Sequence, residues 1–138
     1  MPNSKASERA ANLAFLPPVA ATTARTSAYA DMGKFGSGIV RVLTGANTAT
    51  GTITLLRAAS STGASSQSVA TAAYGGTSTT NDNTAVELNI TQEDIDSDPA
   101  RPYYAFAFEA VALSAGILEG IDPRYAPPTP AAAVTIAR

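Results

Sequence analysis

Hydrophobic and polar positions alternate in short bursts along this chain, and glycine, asparagine, aspartate or proline separates one burst from the next. The clearest burst is 84–90, where Val86, Leu88 and Ile90 point one way and Glu87 and Asn89 the other. A period of two marks a strand with one buried face. Residues 103–113 alternate as cleanly: Tyr104, Phe106 and Phe108 share one face, and Tyr103, Ala105, Ala107 and Glu109 the other. Three aromatics on one face supply most of the large apolar surface in the sequence, which places the core here. Residues 39–43 form a β-branched run after Gly38, and residues 52–57 put Ile53 and Leu55 on a common face. The interval from Thr44 to Gly51 suits a hairpin loop between those two strands. Further extended pieces are predicted at 22–29, 117–121 and 133–137.

The polar stretches carry signals of their own. Residues 58–83 are rich in Ala, Ser, Thr, Gly and Asn, with turn signals at Gly75-Gly76 and Asn81-Asp82-Asn83. Within them, 67–74 fits either a short helix or a strand. Thr91-Gln92-Glu93-Asp94 has the form of a capping box, with Asp in place of the usual Glu, opening a helical turn that Pro99 and Pro102 end. Residues 4–16 tolerate one or two helical turns before Pro17-Pro18 force an extended exit. Residues 1–21 therefore read as an arm whose apolar anchors are Leu13, Phe15 and Leu16. Residues 22–127 read as the β-domain and 128–138 as a C-terminal extended segment. The predicted fold class is all-β: an antiparallel β-sandwich or jelly-roll-like barrel with extended N- and C-terminal arms.

Composition narrows the chemistry. The 138 residues suit one domain, and they include no histidine and no cysteine. Histidine is the commonest general base near neutral pH, and cysteine provides thiol nucleophiles, disulfides and most structural zinc sites. Charged residues make up only 14% of the chain and the net charge is −2, with no run of Lys or Arg. A nucleic-acid binder needs clustered phosphate contacts, and a membrane span needs roughly 20 apolar residues; neither is present in the sequence. Much of the 45% hydrophobic content is alanine, so burial per residue is modest and a neighbouring copy is expected to add stability.

Four motifs invite a chemical reading. Asp94, Asp96 and Asp98 have the i, i+2, i+4 spacing of a calcium loop, but Pro99 and Ala105 stand where an EF-hand needs glycine and glutamate. A solvated, capped turn is the alternative. Glu87 and Glu109 lie on polar faces of two strands and could approach each other as a glycosidase carboxylate pair; solvent-facing strand residues are the alternative. Residues 33–38 hold three glycines but lack the spacing of a phosphate-binding loop. Asp122-Pro123-Arg124-Tyr125-Ala126-Pro127-Pro128 reads as a proline-set corner: either a docking corner, since Arg124 and Tyr125 are residue types that anchor interfaces, or a structural turn with Tyr125 packed on its own domain. No catalytic, cofactor or metal set emerges; the expected contact residues are Leu13, Phe15, Leu16, Arg124 and Tyr125.

Three stretches resemble small virion proteins of tailed bacteriophages and prophages, encoded among head genes. They are Ala21-Thr22-Thr23-Ala24-Arg25-Thr26-Ser27-Ala28-Tyr29 leading to Asp31-Met32, then Gly51-Thr52-Ile53-Thr54-Leu55, then Tyr103-Tyr104-Ala105-Phe106 running on to Asp122-Pro123-Arg124-Tyr125-Ala126-Pro127. The resemblance implies a non-enzymatic structural role without cofactor, that of capsid decoration (cementing). The implied partners are the major capsid protein or other virion proteins, with self-association into a homo-oligomer. The implied location is the capsid surface after synthesis in the host cytoplasm. A head–tail completion, tail or fibre-anchoring protein is the structural alternative, and a carbohydrate-binding or adhesin β-domain is the alternative from another class.

Overall fold

The computed structural model describes residues 9–19, 24–47, 50–75, 85–109 and 112–124, and in it two antiparallel sheets pack against each other as an all-β sandwich. In chain order the strands are β1 (Ala10–Val19), β2 (Arg25–Thr26), β3 (Ala30–Asp31), β4 (Phe35–Asn47), β5 (Thr50–Ala58), β6 (Gln67–Gly75), β7 (Ala85–Ile90), β8 (Tyr103–Phe108) and β9 (Ala112–Pro123). A 3-10 turn, Met32–Lys34, precedes β4, and one short helix, α1 (Gln92–Ser97), follows β7. The first sheet runs β1-β9-β4-β7; the second runs β2-β8-β5-β6, with β3 also on β8.

The core lies between the sheets where the period of two placed it. Tyr104, Phe106 and Phe108 of β8 are buried, and Ile53 and Leu55 of β5 join them from the same sheet. Val40, Val42, Ile90 and Leu118 come from the first sheet. Removing one such side chain from water contributes roughly 1.5–3 kcal/mol. Two glycines of β9 let the aromatics in. A β-carbon at Gly116 would sit 2.7 Å from the Phe106 ring and 2.9 Å from that of Phe108. One at Gly120 would sit 2.7 Å from the Phe35 ring. β9 alternates small and large on its inner face, with Leu118 between the glycines: Gly116 makes room for rings of the facing sheet and Gly120 for Phe35 of the neighbouring β4.

Local order follows the local signals. The box at Thr91 forms as predicted: Asp94 N–H donates to Thr91 Oγ1 at 3.1 Å, and Thr91 N–H donates to Asp94 Oδ2 at 2.8 Å. Residues 67–74 resolve as strand, not helix, because β6 pairs with β5 along its length.

Long-range order departs from the expectation in three places. No hairpin joins β4 to β5: β4 pairs with β7 and β9 in the first sheet, and β5 with β6 and β8 in the second. Both edges of each strand are thereby occupied, so the chain changes sheets between them. The predicted strand over 103–113 is divided likewise: β8 ends at Phe108 in the second sheet and β9 begins at Ala112 in the first. Finally, the segment read as helical turns within an N-terminal arm is strand β1 over Ala10–Val19, paired with β9 from Ala10↔Ile121 to Val19↔Ser114. The pairing overrides an Ala- and Leu-rich composition that helix would also accept. Pro17 and Pro18 lie on this edge strand, where a missing N–H is tolerated. The C-terminal segment 128–138 lies outside the described residues.

Candidate functional site

The outer face of the first sheet carries one continuous row of side chains across its four strands. Phe15 of β1 stands opposite Ile117 of β9, Ile117 opposite Arg41 of β4, and Arg41 opposite Glu87 of β7. Two residues along β4, Leu43 stands opposite Ala115. Phe15, Ile117 and Leu43 are the large hydrophobic residues left exposed among the described residues, at 37%, 38% and 65%. With Leu16, Pro17 and Pro18 they line a groove of about 370 Å³ whose exposed surface is apolar. A lone exposed leucine is ordinary, whereas three large apolar residues converging on one concavity form a patch. The volume lies within the range of sites that bury a compact ligand or a few partner side chains.

Polar groups frame this groove. Arg41 is the charged residue lining it, and it donates to Glu119 at 2.6 Å and to Glu87 at 3.2 Å. Arg25 reaches across from β2 in the second sheet. It donates to the Pro17 carbonyl at 2.8 Å and the Ser114 carbonyl at 2.7 Å, and lies 5.5 Å from the Phe108 ring centre. Those contacts fasten the proline end of β1 to β9 and hold the groove wall in shape. A carbonyl bonded to a charged donor is held more firmly than one bonded to a neutral donor.

The residues expected to make contacts distribute unevenly. Phe15 and Leu16 line the groove. Leu13 is half-buried and packs on the core, as Leu16 also does in part. Arg124 sits at the far end of β9, where its N–H donates to the Lys34 carbonyl at 2.8 Å and its guanidinium pairs with Asp96 at 3.3 Å. Tyr125 lies outside the described residues. Leu43, Ile117, Pro17 and Pro18 were not singled out by sequence. The signal was there for Leu43, which shares a strand face with charged Arg41, and for Ile117, which shares one with Glu119.

The remaining candidates serve the fold. Asp94 belongs to the capping box, Asp96 accepts from Gln92 at 2.7 Å and pairs with Arg124, and Asp98 meets Arg101 at 2.8 Å and Arg57 at 3.7 Å. Among the described residues no three acidic side chains gather to hold a metal ion. Glu87 belongs to the first sheet, while Glu109 follows β8 in the second and accepts the Thr52 N–H at 2.7 Å. They do not form a carboxylate pair. Residues 33–38 form the 3-10 turn and the start of β4, with the Gly33 N–H on Asp31 Oδ1 at 2.9 Å. Tyr104 is buried and donates to the Asp94 carbonyl at 3.1 Å; burial pushes its pKa above 10.0, and Arg57 beside it pulls the other way.

Comparison of the chain with protein families, with curated proteins and with solved structures finds no match.

Proposed function

We propose that this chain is a non-enzymatic structural protein of a tailed-phage virion that binds the capsid shell as a decoration or cement protein. The observation that carries the reading is the groove. Its three exposed hydrophobics lie on the outside of a sheet whose core is already complete. Such a patch is the usual mark of a surface that meets another protein. The resemblance of the Arg25, Thr52 and Tyr103 stretches to phage head-region proteins supplies the direction. The charged side chains described above fit it too, since they pair with one another and shape the fold. A decoration protein repeats one modest contact over many identical sites, and an apolar groove ringed by polar residues is suited to that task.

The test is add-back. Shells purified without this protein are mixed with the wild-type chain or with Leu43→Asp, and the bound copies are counted. Wild type is expected to saturate at a copy number that scales with the shell subunits, and Leu43→Asp to bind at least about tenfold more weakly, a loss of about 1.4 kcal/mol. Absence of wild-type binding overturns the reading. Saturation at a copy number set by the single portal vertex moves the protein to the connector or tail.

A further inference from the structure

Among the described residues, most of the strands that end the two sheets carry a device against further pairing. β1 holds Pro17 and Pro18 and two register shifts against β9. β7 holds Glu87, exposed in mid-strand, and β2 and β3 are two residues each. Prolines, bulges, charges and shortness are the means by which a sheet edge avoids adding strands. β6 is the exception. It holds no proline, and residues 58–81 around it contain no Asp, Glu, Lys or Arg. Its register against β5 shifts once, between Leu55 and Leu56, and is unbroken over 70–75. Among the described residues β6 pairs with β5 alone. Backbone N–H and C=O groups along 70–75 therefore point out of the sheet edge, away from β5.

We infer that two copies of this chain pair at β6, edge to edge across a two-fold axis, so that β2-β8-β5-β6 of one protomer continues into β6-β5-β8-β2 of its partner. This surface is separate from the groove. β6 lies beside β7, whereas the groove is walled by β1 at the other edge of the first sheet.

Charge, side-chain size and direction select a second copy as the added strand. A two-fold axis sets each residue of a strand against itself or a near neighbour, so a charge there would meet its own kind. With no charge over 58–81, this edge meets its copy without that penalty, and a charged strand would find no counter-charge on it. Thr71 and Ala73 are exposed on the outer face of the second sheet, while Ala70 and Ala72 stand opposite Leu55 and Ile53 on the inner face. Alanine and threonine can face their own kind across strands without crowding, and threonine pairs across strands are favourable. Val69 and Ala70 pack on the core yet stay part-exposed, and a strand laid along β6 removes more of their surface from water. Strands related by a two-fold axis perpendicular to the sheet run antiparallel, as β6 and β5 already do.

The contact is isologous, so opposite charges on its two sides can repair what like charges spoil. Two variants of the full-length chain are made at the exposed positions: Thr71→Lys with Ala73→Lys, and Thr71→Glu with Ala73→Glu. Light scattering after size-exclusion chromatography is expected to give wild type at twice the 14.0 kDa chain. Each variant alone is expected at the single-chain mass, because like charges face each other across the axis. An equimolar mixture of the two is expected to return to the two-chain mass at low salt and to lose it at high salt. That recovery also shows that both variants fold. Leu43→Asp, on the groove, is expected to keep the two-chain mass. A monomeric wild type overturns the inference, as do variants that keep the wild-type mass or a mixture that stays monomeric. A single-chain mass for Leu43→Asp overturns it too, by moving the contact to the groove.

Discussion

At the end of the sandwich where α1 and the 3-10 turn lie, polar groups complete the fold. Asp98 holds two arginines, Arg124 meets Asp96, the Thr91 box starts the helix, and the Tyr104 hydroxyl bonds to the Asp94 carbonyl. At the opposite end of the first sheet, Phe15, Leu43 and Ile117 stay on the surface beside Pro17 and Pro18. One end satisfies its charges internally; the other leaves apolar area for something else to cover. The difference teaches where each kind of substitution should register. Changes at the polar end should alter stability and spare association, and changes at the groove should do the reverse.

The largest expected effect tests the boundary between these behaviours. Gly116 borders the groove but presses its backbone against the rings of Phe106 and Phe108, so Gly116→Val should behave as a core change. It is expected to cost about 3 kcal/mol in denaturant unfolding, by forcing rings from their rotamers. A cost within experimental error would show that the groove floor is separable from the core. Next comes Asp98→Ala, which leaves the half-buried guanidinium groups of Arg57 and Arg101 without their shared carboxylate. It is expected to lower stability by about 2 kcal/mol with shell binding unchanged. Loss of binding at unchanged stability would reverse the division of labour.

Tyr104→Phe should cost about 1 kcal/mol at neutral pH by removing the bond to the Asp94 carbonyl. It also carries a pH signature. The folded pKa is raised above 10.0, so the unfolded chain ionises first as pH climbs past that value. Stability linked to this hydroxyl is complete below pH 10 and is lost above it. Wild-type stability should therefore fall more steeply than that of Tyr104→Phe above pH 10, which parallel chemical denaturation at stepped pH measures. Equal slopes would mean that the hydroxyl reaches water. The smallest effect is that of Leu43→Asp on stability, expected within about 0.5 kcal/mol because the side chain is exposed. A larger loss would place Leu43 in the structural core of its own chain.

How much of this was legible in sequence depends on the range of the physics involved. The inward faces of β7 and β8 and the Thr91–Asp94 box depend on neighbours two to four residues apart, and both were readable. Which sheet a strand joins depends on partners far along the chain, and alternation looks the same in either sheet. That is why β4 and β5 read as a hairpin though they lie in different sheets. The same blindness made Ala10–Val19 look helical, since only its pairing with β9 extends it. The groove was half visible. Phe15 and Leu16 stood out as bulky residues beside two prolines, whereas Leu43 and Ile117 looked like ordinary strand residues until the register put them side by side.

The inner face of β9 reads Gly116, Leu118, Gly120, and aromatic rings from elsewhere in the fold occupy the two vacancies. A slide of the sheets by one pleat period would bring Leu118 under the ring that needs Gly116. The sandwich therefore has one permitted alignment, as a key has one depth in its lock. That alignment also sets the rings of β8 against the strand segment that borders the groove. Gly116, a position without a side chain, thus serves two surfaces at once: it seats the core rings on one side and borders the groove on the other.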